Sequence, residues 1–198
     1  MSLEPLNPAS TALLVLDMHQ SVVSDGPVAE HLAEQDQVSH IVALLSTARA
    51  TGAEVIHVHH KSATGIRPGG MITPLFKELA EYDDLQDGAD GMDVVPGLEP
   101  LDGEIVVHKQ RVSAFTGTDL ELTLRAGAID SLILTGTYTN LSVESTARYA
   151  ADLGYRVVLA SDALSSVSAE WHEGALAHGL SMLCDVATTA DVVEALDR

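Results

Sequence analysis

Three side chains capable of chemistry follow apolar runs of the chain. Residues 11–17 (TALLVLD) close on the carboxylate of Asp17, and residues 104–108 (EIVVH) lead to the ammonium of Lys109. Residues 131–135 (SLILT) lead through GTYTN to the hydroxyl of Ser142. These are the group types of proton transfer and charge stabilisation. Singly, each has an ordinary explanation, Asp17 as a cap or turn residue and Lys109 as a surface charge. Together they favour a site, because ligands in open parallel sheets bind beyond the carboxyl ends of the strands. The segment 136–142 (GTYTNLS) crosses from strand to helix, with Thr139 or Asn140 as the expected N-cap. The N–H groups of a first helical turn and the helix dipole favour negative charge, so a developing oxyanion could be held there.

Gln20, His60, Arg111, Phe115 and Tyr138 fall just after the same runs and are candidates to line a substrate pocket. The ordinary alternative is a surface salt bridge for Arg111 and core packing for Phe115. An Arg111 facing the pocket would favour a carboxylate-bearing substrate, since guanidinium grips carboxylates in a bidentate fashion. His57 and His59 share one strand face, with His19 and His60 near the same edge. Paired histidines can bind zinc. The expectation here is buried or solvated imidazoles, with no metal and no other cofactor.

Holding such a set at one edge requires alternating strands and helices, and the pattern supplies them. Strands are expected at 11–17, 54–59, 104–108, 131–135, 156–160 and 182–186, reading as continuous or β-branched apolar runs. Helical patterns cover 29–51, 119–126, 140–153, 172–179 and 188–196, several of them ended by glycine. The expected class is therefore α/β, a parallel sheet with helices on both faces. Residues 62–93 are rich in Gly, Pro and Asp, including GIRPGG at 65–70. Connections of that length often serve as lids or substrate loops, and 74–82 could form a short helix within this one. The turn after the first strand, DMHQSVV, has no G-x-G-x-x-G, so a nucleotide-binding reading is unsupported.

A chain of 198 residues suits one compact domain with a sizeable core. Its 46% hydrophobic and 20% charged content is ordinary for a globular protein. No apolar run reaches the roughly 18–20 residues that span a bilayer. The start, MSLEPLNPAS, has neither the basic nor the apolar region of a signal peptide. Cys184 is the only cysteine, which fits a reducing cytoplasm. The net charge of −19 repels nucleic acid and anionic membranes and leaves a small molecule as the expected partner.

The stretches LLVLDMHQ and HKQRVSAFTGTDLELTLRAGAIDSLILTGTYTNLSVESTARYAADLGYRVVLASDALSS are similar to the isochorismatase-like hydrolase superfamily, also called cysteine hydrolases. The likeness spans about residues 12–166 and is densest over 109–163. It implies a six-stranded parallel sheet flanked by helices, commonly assembled into homodimers or larger homo-oligomers. It also implies that Asp17 is the acid/base, Lys109 the positive partner, and Ser142 the occupant of the nucleophile position. A non-proline cis peptide would fall at Thr137–Tyr138, and the N–H groups of Tyr138 and Ser142 would form the oxyanion hole. The metal-binding nicotinamidase branch uses an Asp–His–His arrangement in a different local pattern, which this chain lacks.

At position 142 the chain departs from the pattern, because most amidohydrolases of the superfamily carry cysteine there. A thiol ionises near about pH 8.5 and can be activated by a helix N-terminus and a lysine, whereas a serine hydroxyl needs a strong base. Cys184 lies far along the chain and does not replace it. Several accounts stay open at this level. The serine could be an engineered replacement, or natural in an isochorismatase-type enzyme that hydrolyses a vinyl ether without a covalent nucleophile. Behind these two accounts stand a true serine nucleophile and a non-catalytic binding protein on the same fold. Asn140 and the run VESTARYA resemble the amidase branch, so hydrolysis of a C–N bond is the favoured expectation.

Overall fold

The computed structural model describes residues 3–61, 73–79 and 93–198. Six strands form one parallel sheet: β1 (Thr11–Leu16), β2 (Glu54–His60), β3 (Ile105–Lys109), β4 (Ser131–Thr137), β5 (Arg156–Ser165) and β6 (Asp185–Ala187). Their order is β3-β2-β1-β4-β5-β6. The chain builds outward through β2 and β3, returns to β4 beside β1, and then builds outward the other way. A crevice opens at such a reversal, beyond the carboxyl ends of the two central strands. Every residue of β1 and β4 is buried, which is why both read as apolar runs without alternation.

Helices cover both faces, as the α/β reading expects. One core packs Leu13, Val15, Val55, Ile133 and Val158 against α2 (Gly26–Glu34), α3 (Gln37–Thr51) and α8 (Thr189–Leu196). The other packs Leu14, Leu16, Ile56, Leu132 and Leu134 against α5 (Leu120–Ala126), α6 (Glu144–Asp152) and α7 (Ala169–His178). Each fully buried Leu or Ile side chain contributes about 1.5–3 kcal/mol of burial free energy. Local signals fix several ends. Gly52 takes φ 83 to close α3, and Thr188 opens α8 through a capping box with Asp191. Among the described residues, no helix is long and apolar enough to cross a membrane.

The structure corrects several element boundaries. The helix expected over 29–51 is two helices, α2 and α3, separated at Gln35–Asp36, where Asp36 takes a left-handed φ of 51. The helix expected over 140–153 begins as a π turn, Thr139–Val143, before α6. β5 runs five residues past its expected end at Ala160, and the last strand is shorter and later than expected, after a 3-10 turn at Leu180–Met182. The short helix α1 (Gln20–Val23) follows β1 without a sequence signal that predicted it. Of the stretch read as a lid, α4 (Pro74–Leu79) is described, while GIRPGG and the expected helix end at Tyr82 lie outside the described residues.

Candidate active site

Asp17 leaves β1 with a φ of 54, a left-handed conformation that costs a non-glycine residue on the order of 1–3 kcal/mol. Its N–H donates to Val58 O (2.9 Å), and its carbonyl accepts from Thr137 Oγ1 (3.1 Å). The strained residue is thus tied to β2 on one side and β4 on the other. On β4, Gly136 takes φ 110, and a Cβ there would lie 2.0 Å from Leu16 O. Only glycine lets the two central strands approach so closely just before the carboxylate. The next peptide, Thr137–Tyr138, is cis, and the chain then enters the π turn that carries Ser142. Tyr138 O accepts from the N–H groups of Leu141 and Val143, both at 3.1 Å.

Asp17, Lys109 and Ser142 meet. Ser142 Oγ donates to Asp17 Oδ2 (2.6 Å) and accepts from Lys109 Nζ (2.6 Å), while Lys109 Nζ lies 2.7 Å from Asp17 Oδ2. The three residues are 6%, 2% and 4% exposed. The third hydrogen of the ammonium goes to Val112 O at 2.8 Å, so every Lys109 donor has an acceptor. Among the described residues, Asp17 Oδ1 is buried and has no hydrogen-bond partner. One carboxylate oxygen therefore holds the nucleophile-position hydroxyl and the cation, and the other is left to receive a proton or a guest.

The remaining candidates divide. His60 ends β2 in register with Lys109. Burial pushes its pKa below the ordinary imidazole value; the negative Asp17 opposes this, while Lys109, His19 and Arg111 act with it. Those interactions place His60 at the catalytic edge. Arg111 is half-buried, its guanidinium carbon 5.1 Å from the ring centre of Phe76 on α4. Tyr138 is half-buried at the mouth of the π turn. Gln20 is exposed at the start of α1, its main chain tied to Asp93 O (2.9 Å), and it makes no recorded hydrogen bond to the three central side chains. Phe115 belongs to the core. It is 5% exposed and stacks on Tyr149 with ring centres 5.1 Å apart, the packing that was the ordinary alternative to a pocket role.

Sequence reasoning missed the groups behind the turn that carries Ser142. Thr139 does not cap the turn as expected. Its hydroxyl donates to Ser165 O (3.0 Å), so the 2.8 Å contact with His172 Nδ1 must be donated by the imidazole. Ser166 Oγ donates to Asn140 Oδ1 (2.5 Å), and Ser166 N–H to His31 Nδ1 (3.2 Å). The carbonyl of Val112 could not have been found from residue type, because any residue offers one.

The histidines near β2 form a contact row rather than a ligand set. His59 lies 4.6 Å from His19, 6.0 Å from His108 and 6.2 Å from His57, ring centre to ring centre. His57 Nε2 donates to Glu104 Oε2 (2.9 Å), and Arg49 holds the same carboxylate at 2.7 Å. Among the described residues, no group of three or more His, Cys, Asp or Glu side chains is arranged to hold a metal ion.

These rings give a pH signature. Burial, helped by His19, His57 and His108, lowers His59 to about 3, and burial with His31 lowers His172 to about 4. Above pH 6.5 both are neutral whether the chain is folded or unfolded. As pH falls below 6.5, the unfolded chain takes up protons that the folded chain refuses, so stability declines. Burial opposes the charge on Glu104, but hydrogen bonds from Arg49, Leu101 and His57 hold its pKa at about 2, so its stabilisation is lost only below about pH 4.5. The melting temperature should thus drop by roughly 5–10 °C between pH 7 and pH 5. Calorimetry showing a flat midpoint across that interval would contradict the neutral state of these imidazoles.

The comparisons agree with the fold. A family model described as the isochorismatase domain matches residues 11–191. The chain is 33% identical to the uncharacterized isochorismatase family protein YecD of Escherichia coli O157:H7, covering 96% of this chain and 98% of the other. It is 30% identical to the ureidoacrylate amidohydrolase RutB of Caulobacter vibrioides, covering 94% and 91%. Among solved structures, a cysteine hydrolase from Pseudomonas syringae pv. phaseolicola superimposes with a TM-score of 0.83 at 27% identity, covering 100% of this chain and 97% of that one. A doubly wound parallel sheet and a domain match across nearly its whole length lead to one assignment: the chain belongs to the isochorismatase family and is a hydrolase.

Proposed function

We propose that the protein hydrolyses a C–N bond of a small, carboxylate-bearing amide or ureido compound, with Ser142 as the attacking group. The observation that carries this reading is the hydrogen bond from Ser142 Oγ to Asp17 Oδ2 at 2.6 Å, with Lys109 against both atoms. A nucleophile that already donates to a carboxylate needs no rearrangement to lose its proton. As Oγ attacks the carbonyl carbon, Asp17 takes the proton and Lys109 holds the charge in place. By the family pattern, the oxyanion rests against the N–H groups of Tyr138 and Ser142. The protonated Asp17 then delivers its proton to the leaving nitrogen, giving an acyl-serine and free amine or ammonia. Water, deprotonated by the same carboxylate, releases the acid.

Arg111 supports the carboxylate preference, since it follows Lys109 on the same strand edge and is half-buried. The similarity to a protein named for ureidoacrylate hydrolysis supports the bond type. A second reading draws on Ser142 itself, because a hydroxyl is a weaker nucleophile than a thiol. In that reading Asp17 protonates a vinyl ether, water adds to the resulting cation, and Ser142 only holds the carboxylate.

Ammonia release and intact mass would be followed during incubation with a panel of small primary amides and ureido acids. Acid product, with an acyl adduct on the peptide containing Ser142, is the expected result. Absence of both, with the Ser142→Cys variant as well, would overturn the C–N reading.

A further inference from the structure

Where β4 and β5 approach the catalytic edge, their ladder breaks step. Leu134 pairs with Leu159, but Gly136 pairs with Leu164, so two residues along β4 match five along β5. A side chain from another layer fills the break. Gln37, the first residue of α3, is fully buried, and its Nε2 donates to Gly136 O and to Ala163 O, both at 3.0 Å. The two hydrogens of one amide thus tie the mismatched strands together. Both partners are carbonyl oxygens, so only the nitrogen can face them, and the orientation of the amide is chemically fixed. Gln37 Oε1 is left buried without a partner among the described residues. An unpaired buried acceptor costs free energy, so the residue is not what packing alone would select.

The carbonyl that Gln37 holds belongs to the glycine on which the site turns. Gly136 is pressed against Leu16, the residue before Asp17. Its successor, Thr137, donates to Asp17 O, and Tyr138 opens the turn to Ser142. Displacing Gly136 would therefore move both members of the Ser142–Asp17 hydrogen bond. The α2–α3 break, with Asp36 in its left-handed conformation, is what brings Gln37 to this point.

We propose that Gln37 is a positioning residue for the active site, clamping β4 to β5 so that Ser142 and Asp17 stay within bonding distance. Gln37 makes no recorded hydrogen bond to Asp17, Lys109 or Ser142, so it acts through Gly136. The kinetic part of the test rests on the hydrolytic reading above; the chemical part does not.

In a Ser142→Cys background, alkylation by iodoacetamide would be followed against pH by intact mass and peptide mapping, with and without Gln37→Met. Peptide mapping separates Cys184 from position 142, and burial and Asp185 push the Cys184 thiol up to about 11. Gln37→Met keeps the length of the side chain and removes both donors. The expected result is alkylation at least about fivefold slower at pH 7.5, with the pH profile displaced upward, since a thiol moved away from Lys109 on β3 loses the cation that favours its anion. On a substrate that the Ser142 enzyme turns over, kcat should fall about tenfold with KM within about twofold. A folded Gln37→Met protein, verified by circular dichroism, with an unchanged alkylation profile would overturn the proposal. Should Gln37→Met not fold, Gln37→Glu decides the matter, because its acid form can still donate one hydrogen. Its alkylation rate, relative to the Gln37 protein, should fall as pH rises and that proton is lost, and a constant ratio would sink the idea. If no substrate is turned over, the C–N reading fails, yet the thiol measurement still decides the role of Gln37.

Discussion

Asp17→Asn is expected to lower turnover by about 10³-fold or more, within the range for loss of a general acid–base, and to destabilise the fold as well. Asparagine preserves the shape of the side chain but offers no proton carrier. It also removes the anion that lies 2.7 Å from Lys109, whose side chain is only 2% exposed. Removing one partner of a buried pair leaves an uncompensated charge and costs about 3–5 kcal/mol. For a chain of this size, that corresponds to a fall in melting temperature of roughly 6–20 °C. The double variant Asp17→Asn/Lys109→Met separates the two effects, because it removes the stranded cation. Stability should recover substantially in the double variant while activity stays lost. If the double variant regained activity, or Asp17→Asn retained most of it, Asp17 would not carry the proton.

The sequence made the catalytic edge legible because fully buried parallel strands carry a plain signal. β1 and β4 are buried at every position, each has an unbroken apolar stretch (ALLVL and LIL), and Asp17 stands immediately after β1. The runs at 104–108 and 131–135 then led to Lys109 and Ser142, to which the family resemblance gave roles, and the structure brings all three side chains together. What stayed hidden depends on contacts between residues distant in the chain. Phe115 is an aromatic near a strand end, as a pocket residue would be, and only the fold puts Tyr149 against it. The α2–α3 break was invisible because helical spacing continues through Gln35 and Asp36. Its counterpart is tertiary, the insertion of Gln37 between Gly136 and Ala163, which local spacing does not show. β5 continues past its expected end at Ala160 through Ser161 and Asp162, two polar residues that interrupt the apolar run. Their side chains are instead engaged by α8 and its approach, Ser161 Oγ with Ala187 O and Asp162 Oδ1 with Thr189.

Ser142→Ala and Ser142→Cys should move activity in opposite directions. If the hydroxyl attacks carbon, alanine leaves only binding and electrostatic stabilisation, and turnover should fall by about 10³-fold or more. Cysteine should raise the rate of amide cleavage by about tenfold or more, for a reason that lies in proton affinity. Asp17 is a weak base, so taking a proton from a hydroxyl is steeply uphill, whereas a thiol ionises near about pH 8.5 and Lys109 favours its anion. The hydroxyl sits 2.6 Å from both charged partners, and a larger sulfur must push them apart, which limits the gain. Vinyl-ether hydrolysis predicts another pattern, in which Ser142→Ala keeps activity within about tenfold because Asp17 alone delivers the proton. Steady-state kinetics of the three proteins on amide and vinyl-ether substrates distinguish the readings. An alanine variant as fast as the parent on amides would remove Ser142 from the reaction and leave Asp17 to activate water.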